Sequence, residues 1–93
     1  MSLRPPRESG VERRCCDDAA ADGWGNRKMT KRDDPDRIFF KRGVLVWAEI
    51  KRPGEVPRPS QERRHAELRD AGEIVLVVDT SEGFVEKLNG AAR

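Results

Sequence analysis

Sixteen residues, 36 to 51, run D-R-I-F-F-K-R-G-V-L-V-W-A-E-I-K, and they leave few choices of local structure. Ile38-Phe39-Phe40 on one side and Val44 to Ala48 on the other are rich in β-branched and aromatic residues, with Lys41-Arg42-Gly43 between. Such a pattern predicts a β-hairpin turning at Arg42-Gly43. If the loop is those two residues, Lys41 pairs with Val44, and counting outward brings Asp36 directly opposite Glu49. Residues opposed in this way have Cβ atoms ~5 Å apart on one face of the ladder. Alternation along the strand puts Lys51 on the same face as Glu49 and turns Ile50 the other way. Two opposed acids destabilise a sheet unless something compensates, and a divalent cation does so. Hard cations such as Mg²⁺ take oxygen ligands, commonly one or two carboxylates with phosphate and water. A nearby ammonium can then stabilise charge developing on a phosphate. The hairpin therefore points to phosphodiester cleavage. A solvated surface hairpin is the plain alternative, because E-x-K on its own is weak evidence. Asp33 and Asp34 lie close by, and from spacing alone any of the three aspartates could be the ligand; only Asp36 falls in register with Glu49.

A chain of 93 residues supports one domain with a modest core, which dimerisation would help. The expected division is a frayed N-terminus at 1–7 and a single domain at 8–90. Charged residues make up 39% of the chain, yet acids and bases nearly balance at a formal net charge of +2. A nucleic-acid surface must therefore come from local clustering and not from overall charge. No apolar run approaches the ~20 residues of a membrane span and no signal-peptide core follows the start, so a soluble, intracellular protein is expected. Cys15 and Cys16 are the only cysteines. Sequence neighbours rarely bridge, and with a single distant His65 they make a poor zinc site, so buried or half-buried thiols are expected.

The rest of the chain frames the hairpin. Residues 8 to 22 suit a helix ending at Gly23, with Val11, Cys15 and Ala19 as its inner stripe and Ala20 at the edge. Glu8 lies one turn before Val11, either as an acid welcomed by the helix dipole or as a carboxylate aimed at the site. Between Gly23 and Pro35, a short edge strand and a mobile loop carry Lys28, Lys31 and Arg32, which can meet a nucleic-acid backbone or remain solvated. Three prolines between residues 52 and 59 force a loop. A helix from Pro59 or Ser60 to Ala71, stopped by Gly72, puts Gln61, His65 and Leu68 on one face. Leu68 must point at the sheet, so Gln61 points there too, near the open end of the hairpin, where it can orient a water or phosphate or simply cap the helix. Residues 73 to 79 hold five consecutive apolar side chains, which predicts a strand buried on both faces and parallel to the one at 44 to 50 through a crossover. Thr80 or Ser81 then caps a last helix in which Phe84, Val85 and Leu88 pack inward and Gly90 stops the turn. The expected fold is α/β, a mixed sheet flanked by helices in the order α-β-β-β-α-β-α.

P-D-R at 35 to 37, E-I-K at 49 to 51, R-P-S-Q-E-R-R-H-A-E-L at 58 to 68 and the apolar strand ending V-V-D-T together resemble the VRR-NUC domain. This is the virus-type replication-repair nuclease group of the PD-(D/E)XK superfamily. The likeness spans residues 8 to 88, and it implies a stand-alone phage or bacterial-type member with a restriction-endonuclease-like fold, acting in the cytoplasm of a bacterium or of a phage-infected host cell. It also implies Mg²⁺- or Mn²⁺-dependent DNA cleavage. By position, Asp36, Glu49 and the carbonyl of Ile50 are the implied metal ligands, Lys51 positions the attacking water, and Gln61 takes the place of the glutamine that opens the helix after the core motif. An acid on the first helix is usual in the group; Glu8 fits best by its distance to Gly23, with Glu12 second. Asp34 departs from the pattern, since a glycine commonly precedes the Pro-Asp pair. Stand-alone members resemble dimeric resolvases of branched DNA, which implies a homodimer acting on four-way (Holliday) junctions. The basic residues nearest the implied site are Lys28, Arg37, Lys41, Arg52, Arg58, Arg63 and Arg64, the candidates for phosphate contacts. A DNA-binding or assembly module with the same fold and little or no activity is the alternative, against which the intact D…E-x-K set argues.

Overall fold

The computed structural model describes residues 10 to 92. The expected lead-in at 1–7 and Glu8 lie outside the described residues. Seven elements follow in the expected order: α1 (Gly10–Ala21), β1 (Gly25–Lys28), β2 (Arg37–Lys41), β3 (Val44–Ile50), α2 (Pro59–Asp70), β4 (Ile74–Val78) and α3 (Phe84–Ala91). The four strands form one sheet in the order β1-β2-β3-β4, antiparallel except for the parallel β3–β4 pair.

The hairpin forms in the predicted register. Lys41 pairs with Val44 and the ladder continues to Arg37 opposite Ala48. Both turn residues have positive φ, 51° at Arg42 and 79° at Gly43, the requirement of the type I′ turn whose twist matches that of the flanking strands. Because a one-residue slip would carry every side chain to the other face, this tight turn decides which residues meet.

Strand alternation then divides the sheet. Phe39, Val46, Ala48, Ile50 and Val78 belong to one buried cluster with Cys15 and Ala19 of α1, Trp24, and Phe84 and Leu88 of α3. The rings of Phe39 and Phe84 meet edge to face with centroids 5.1 Å apart. Trp47 and Glu49 alternate with these residues and so face the side that α2 covers. Cys15 sits deep in the core, where burial pushes its thiol up to about 12, and Cys16 is half-buried; neither is in a disulfide.

Helix ends account for the angle at which the chain enters each strand. At the end of α1 the amide of Gly23 donates to Ala20 O and that of Trp24 to Ala19 O; at the end of α2 the amides of Gly72 and Glu73 donate to Arg69 O and Leu68 O. Each is a Schellman closure, which satisfies two terminal carbonyls and redirects the chain. In α1 this delivers Trp24 into the core, where its indole N–H reaches Asn89 Oδ1 at 3.2 Å.

Several expectations need correction. Along α1, Cys15 and Ala19 are buried and Val11 is half-buried as expected, but Ala20 is exposed and Glu12 is buried in the stripe. Strand β4 is an edge strand, not one covered on both faces: Val75 and Val78 are buried whereas Val77 is 39% exposed, because α2 shields only part of its outer face. Neither Thr80 nor Ser81 caps α3; Gly83 takes the N-cap position, while Thr80 Oγ1 accepts the amide of Glu82 in a turn just before. Gly90 is not the stop either, since α3 runs to Ala91.

Candidate active site

The site lies where the open end of the hairpin meets the first turn of α2. Asp36 precedes Arg37, the last paired residue of β2, so continuing the register sets it against Glu49. Its backbone carbonyl accepts the amide of Met29 at 2.8 Å, and its carboxylate Oδ2 accepts the amide of Ile50 at 2.8 Å. Asp36 therefore closes the ladder from both sides, with its side chain bridging to the residue after Glu49. Pro35, just before it, is fully buried and restricts the backbone on entry.

Glu49 is 1% exposed, an unusual position for a carboxylate. Three groups answer its charge. Gln61 Nε2 donates to Oε2 at 3.1 Å, Lys51 Nζ lies 3.5 Å from the same oxygen, and His65 Nε2 stands 3.3 Å from Oε1. Even so, burial first and the neighbouring Asp36 carboxylate second push the Glu49 carboxyl up to about 7, against the pull of Lys51. Burial, followed by the charge of Arg69, lowers the pKa of His65 and so favours the neutral imidazole, whose Nε2 donates to Glu49 in the tautomer that carries the proton there.

Gln61 reaches this position because of how α2 begins. Pro59 occupies N1, where the missing amide costs nothing, and Gln61 is N3. Its Oε1 accepts the Arg58 amide at 2.9 Å, the reciprocal arm of a capping box, and also accepts Lys51 Nζ at 3.0 Å. One side chain thus caps the helix, holds the lysine and holds the acid. Among the described residues no buried side-chain nitrogen or oxygen is left without a partner, so this polar cluster is fully satisfied.

These groups open into a cleft of ≈ 410 Å³ that is also lined by Glu12, Lys28, Arg52 and Arg58 and by the loop of residues 29 to 34. Lys28 reaches Glu12 at 3.1 Å. Arg37 turns to the α1 side, where its Nε meets Glu12 at 2.7 Å and its Nη1 meets Asn26 at 2.8 Å. Lys41 lies at the far end of the hairpin, over the Trp24 ring and against Asp22, away from the cleft. Arg63 is exposed on α2, and Arg64 pairs with Asp34 and Glu67. The aspartates left open by spacing take separate roles: Asp33 accepts Ser60 Oγ at 2.9 Å, Asp34 meets Arg64, and Asp36 stands beside Glu49. His65 was not among the expected site residues, although its position four residues after Gln61 on the same helix face carried the signal. The burial of Glu12 had none, because its partner Arg37 lies 25 positions away.

Among the described residues no group of three or more His, Cys, Asp or Glu side chains is arranged to hold a metal ion. Two carboxylates converging on a polar, open cleft nevertheless suit a hard cation, which keeps several waters and takes further oxygens from a carbonyl and a phosphate. The donor set fits Mg²⁺ or Mn²⁺ and lacks the nitrogen and sulfur ligands of a zinc site. Chemically, the arrangement offers paired acids, an ammonium fixed by a glutamine, and room for an extended anionic ligand.

No family model matches the chain. Among curated proteins it is 32% identical over 84 residues to "Putative nuclease p44" of Acyrthosiphon pisum secondary endosymbiont phage 1, an overlap of 86% of this chain and 90% of that protein. Among solved structures it superposes on one described as a VRR_NUC domain with a TM-score of 0.75 and 26% sequence identity, over 85% of this chain and 90% of the other. With that relative and that fold, the chain belongs to the VRR-NUC family of nucleases.

Proposed function

We propose that the chain is a metal-dependent DNA endonuclease that cuts branched DNA, with Asp36, Glu49, Lys51 and Gln61 as its working residues. The observation that carries this reading is the juxtaposition at the cleft floor of Asp36, Glu49 and the Lys51–Gln61 pair. Asp36, Glu49 and the carbonyl of Ile50 would hold Mg²⁺ or Mn²⁺. When bound, such an ion polarises the scissile phosphate and lowers the pKa of a bound water.

The chain's own residues supply orientation and charge. Gln61 holds the Lys51 ammonium 3.5 Å from Glu49, where it faces both the acid pair and a phosphate entering the cleft. His65 holds Glu49 from the buried side, so that the carboxylate cannot rotate away from the cleft. Glu12, at the cleft wall and tied to Arg37 and Lys28, is the candidate for the acid of the first helix within the described residues. Lys28 and Arg52 line the same cleft and would meet backbone phosphates.

A two-fold dimer would present two such sites to a substrate that is itself nearly two-fold. Phe40 and Leu45, cross-strand neighbours each 38% exposed, offer apolar surface for that contact. The test is incubation of the protein with a labelled four-way junction and with linear duplex, in Mg²⁺, Mn²⁺ or EDTA. Metal-dependent cuts concentrated in the junction are expected, with a dimeric mass by light scattering. Binding without metal-dependent cleavage of either DNA would overturn the catalytic reading.

A further inference from the structure

We infer that Lys31 and Arg32 form a phosphate-binding arm of the cleft, and that Asp33 and Asp34 are positioning residues that latch this arm to α2. The inference takes its substrate from the nuclease reading and otherwise stands on the loop's own geometry.

Residues 31 to 34 make a turn closed by the Asp34 amide donating to Lys31 O at 3.3 Å. Its third residue, Asp33, has φ 73° while Arg32 keeps a negative φ, the pattern of a type II turn, in which glycine or asparagine is preferred at that position. Aspartate tolerates the left-handed region better than most residues, but it needs a reason to be there. The reason is on α2: Asp33 Oδ1 accepts Ser60 Oγ at 2.9 Å and lies 3.5 Å from Arg58 Nη2, while Asp34 pairs with Arg64. The hydrogen bond from Ser60, and then Arg58 and Arg32, hold the Asp33 carboxyl below its usual range.

That engagement changes the charge of the cleft. Of the six cations lining it, Lys28 pairs with Glu12, Lys51 with Glu49 and Arg58 with Asp33. Lys31, Arg32 and Arg52 remain without a side-chain ion pair among the described residues. Asp33 and Asp34 line the cleft as well, but their ion pairs are with Arg58 and Arg64, so the loop's two cations stand without an acid at ion-pair distance, at the tip of a turn whose base is fixed to the helix that carries Gln61. An arm anchored in this way presents charge at a set distance from Lys51 and Glu49, which an untethered basic loop cannot do.

The test measures binding of a labelled four-way junction and of duplex in EDTA over a salt series, with cleavage followed separately in Mg²⁺. Lys31→Ala combined with Arg32→Ala should lower the slope of log affinity against log salt by about 2, and each single change by about 1. Lys87→Ala, on α3, should leave both affinity and slope unchanged. Ser60→Ala removes no charge; it should keep the slope but weaken binding on the order of a fewfold. An unaltered slope in the double variant overturns the arm, and if the wild-type protein still cleaves DNA the nuclease reading survives it. A wild-type protein that binds with salt dependence, loses that dependence in the double variant and never cuts overturns the nuclease reading while the arm stands. Absence of wild-type binding at low salt overturns the arm, and Ser60→Ala binding like wild type overturns the latch.

Discussion

The two faces of the sheet are built for different ends. Toward α1 and α3, alternate residues are Phe39, Val46, Ala48, Ile50 and Val78, an apolar layer packed on Cys15, Ala19, Phe84 and Leu88. Toward α2, the same strands bury Glu49 against Gln61 and His65, with Asp36 and Lys51 beside them. The first face gains stability from burial, at roughly 25 cal/mol per Å² of apolar surface. The second spends burial on groups that prefer water and recovers part of that cost by satisfying every one of them. Proteins give up stability where a site demands it, and here the sacrifice is confined to one face, so a substitution's effect depends on the side from which it is made.

The largest effect expected is on activity, from the α2 face. Glu49→Gln keeps the shape of the side chain but loses the charge, and should lower cleavage of a labelled junction by about 10²–10³-fold or more, with no loss of thermal stability. A large drop in Tm would show that Glu49 is structural and would dissolve the contrast between the faces. Phe39→Ala, from the other face, should destabilise by about 3–5 kcal/mol in denaturant titration, because it leaves a cavity and removes the contact with Phe84.

The pH dependence of the metal-free protein sharpens the same contrast. Glu49 has a folded-state value of about 7 against an ordinary 4.5. Between those values the folded chain holds a proton that the unfolded chain has lost. The stabilisation is therefore fully present below pH 4.5 and drains away as pH rises through 7. Measured in EDTA, wild type relative to Glu49→Gln should lose stability over this window, on the order of 3 kcal/mol. Mg²⁺ should restore it most at the alkaline end. A flat difference between the two proteins would mean that Glu49 is not desolvated. The smallest effect expected is from Gln61→Ala, which removes the cap of α2 at a cost of about 1 kcal/mol, while cleavage falls further than that loss explains because Lys51 and Glu49 both lose a partner. Urea melts together with kcat would separate the two contributions.

Legibility from the sequence followed the range of the interactions. The hairpin register, the alternation that sends Ile50 to the core and Glu49 away from it, the start of α2 at Pro59 or Ser60, and the parallel placement of β4 were all readable, because each depends on turn chemistry, side-chain period or the connection between neighbouring elements. The partners of individual charges were not. Arg37 looked like a phosphate contact and lies instead against Glu12; Asp33 and Asp34 looked like rivals of Asp36 and are drawn to Ser60 and Arg64, 27 and 30 residues on.

By itself, then, the sequence determined which residues share a strand face and, within a residue, where α2 begins, including the opposition of Asp36 to Glu49 across a two-residue turn. Only the tertiary structure decided that α2 lays Gln61 and His65 onto that acid, that Glu12 is buried in the first helix, and that the β4 edge stays partly open to water. The physical reason is that local geometry repeats along the chain, whereas the environment of a charge depends on which distant element packs over it and how much water it displaces.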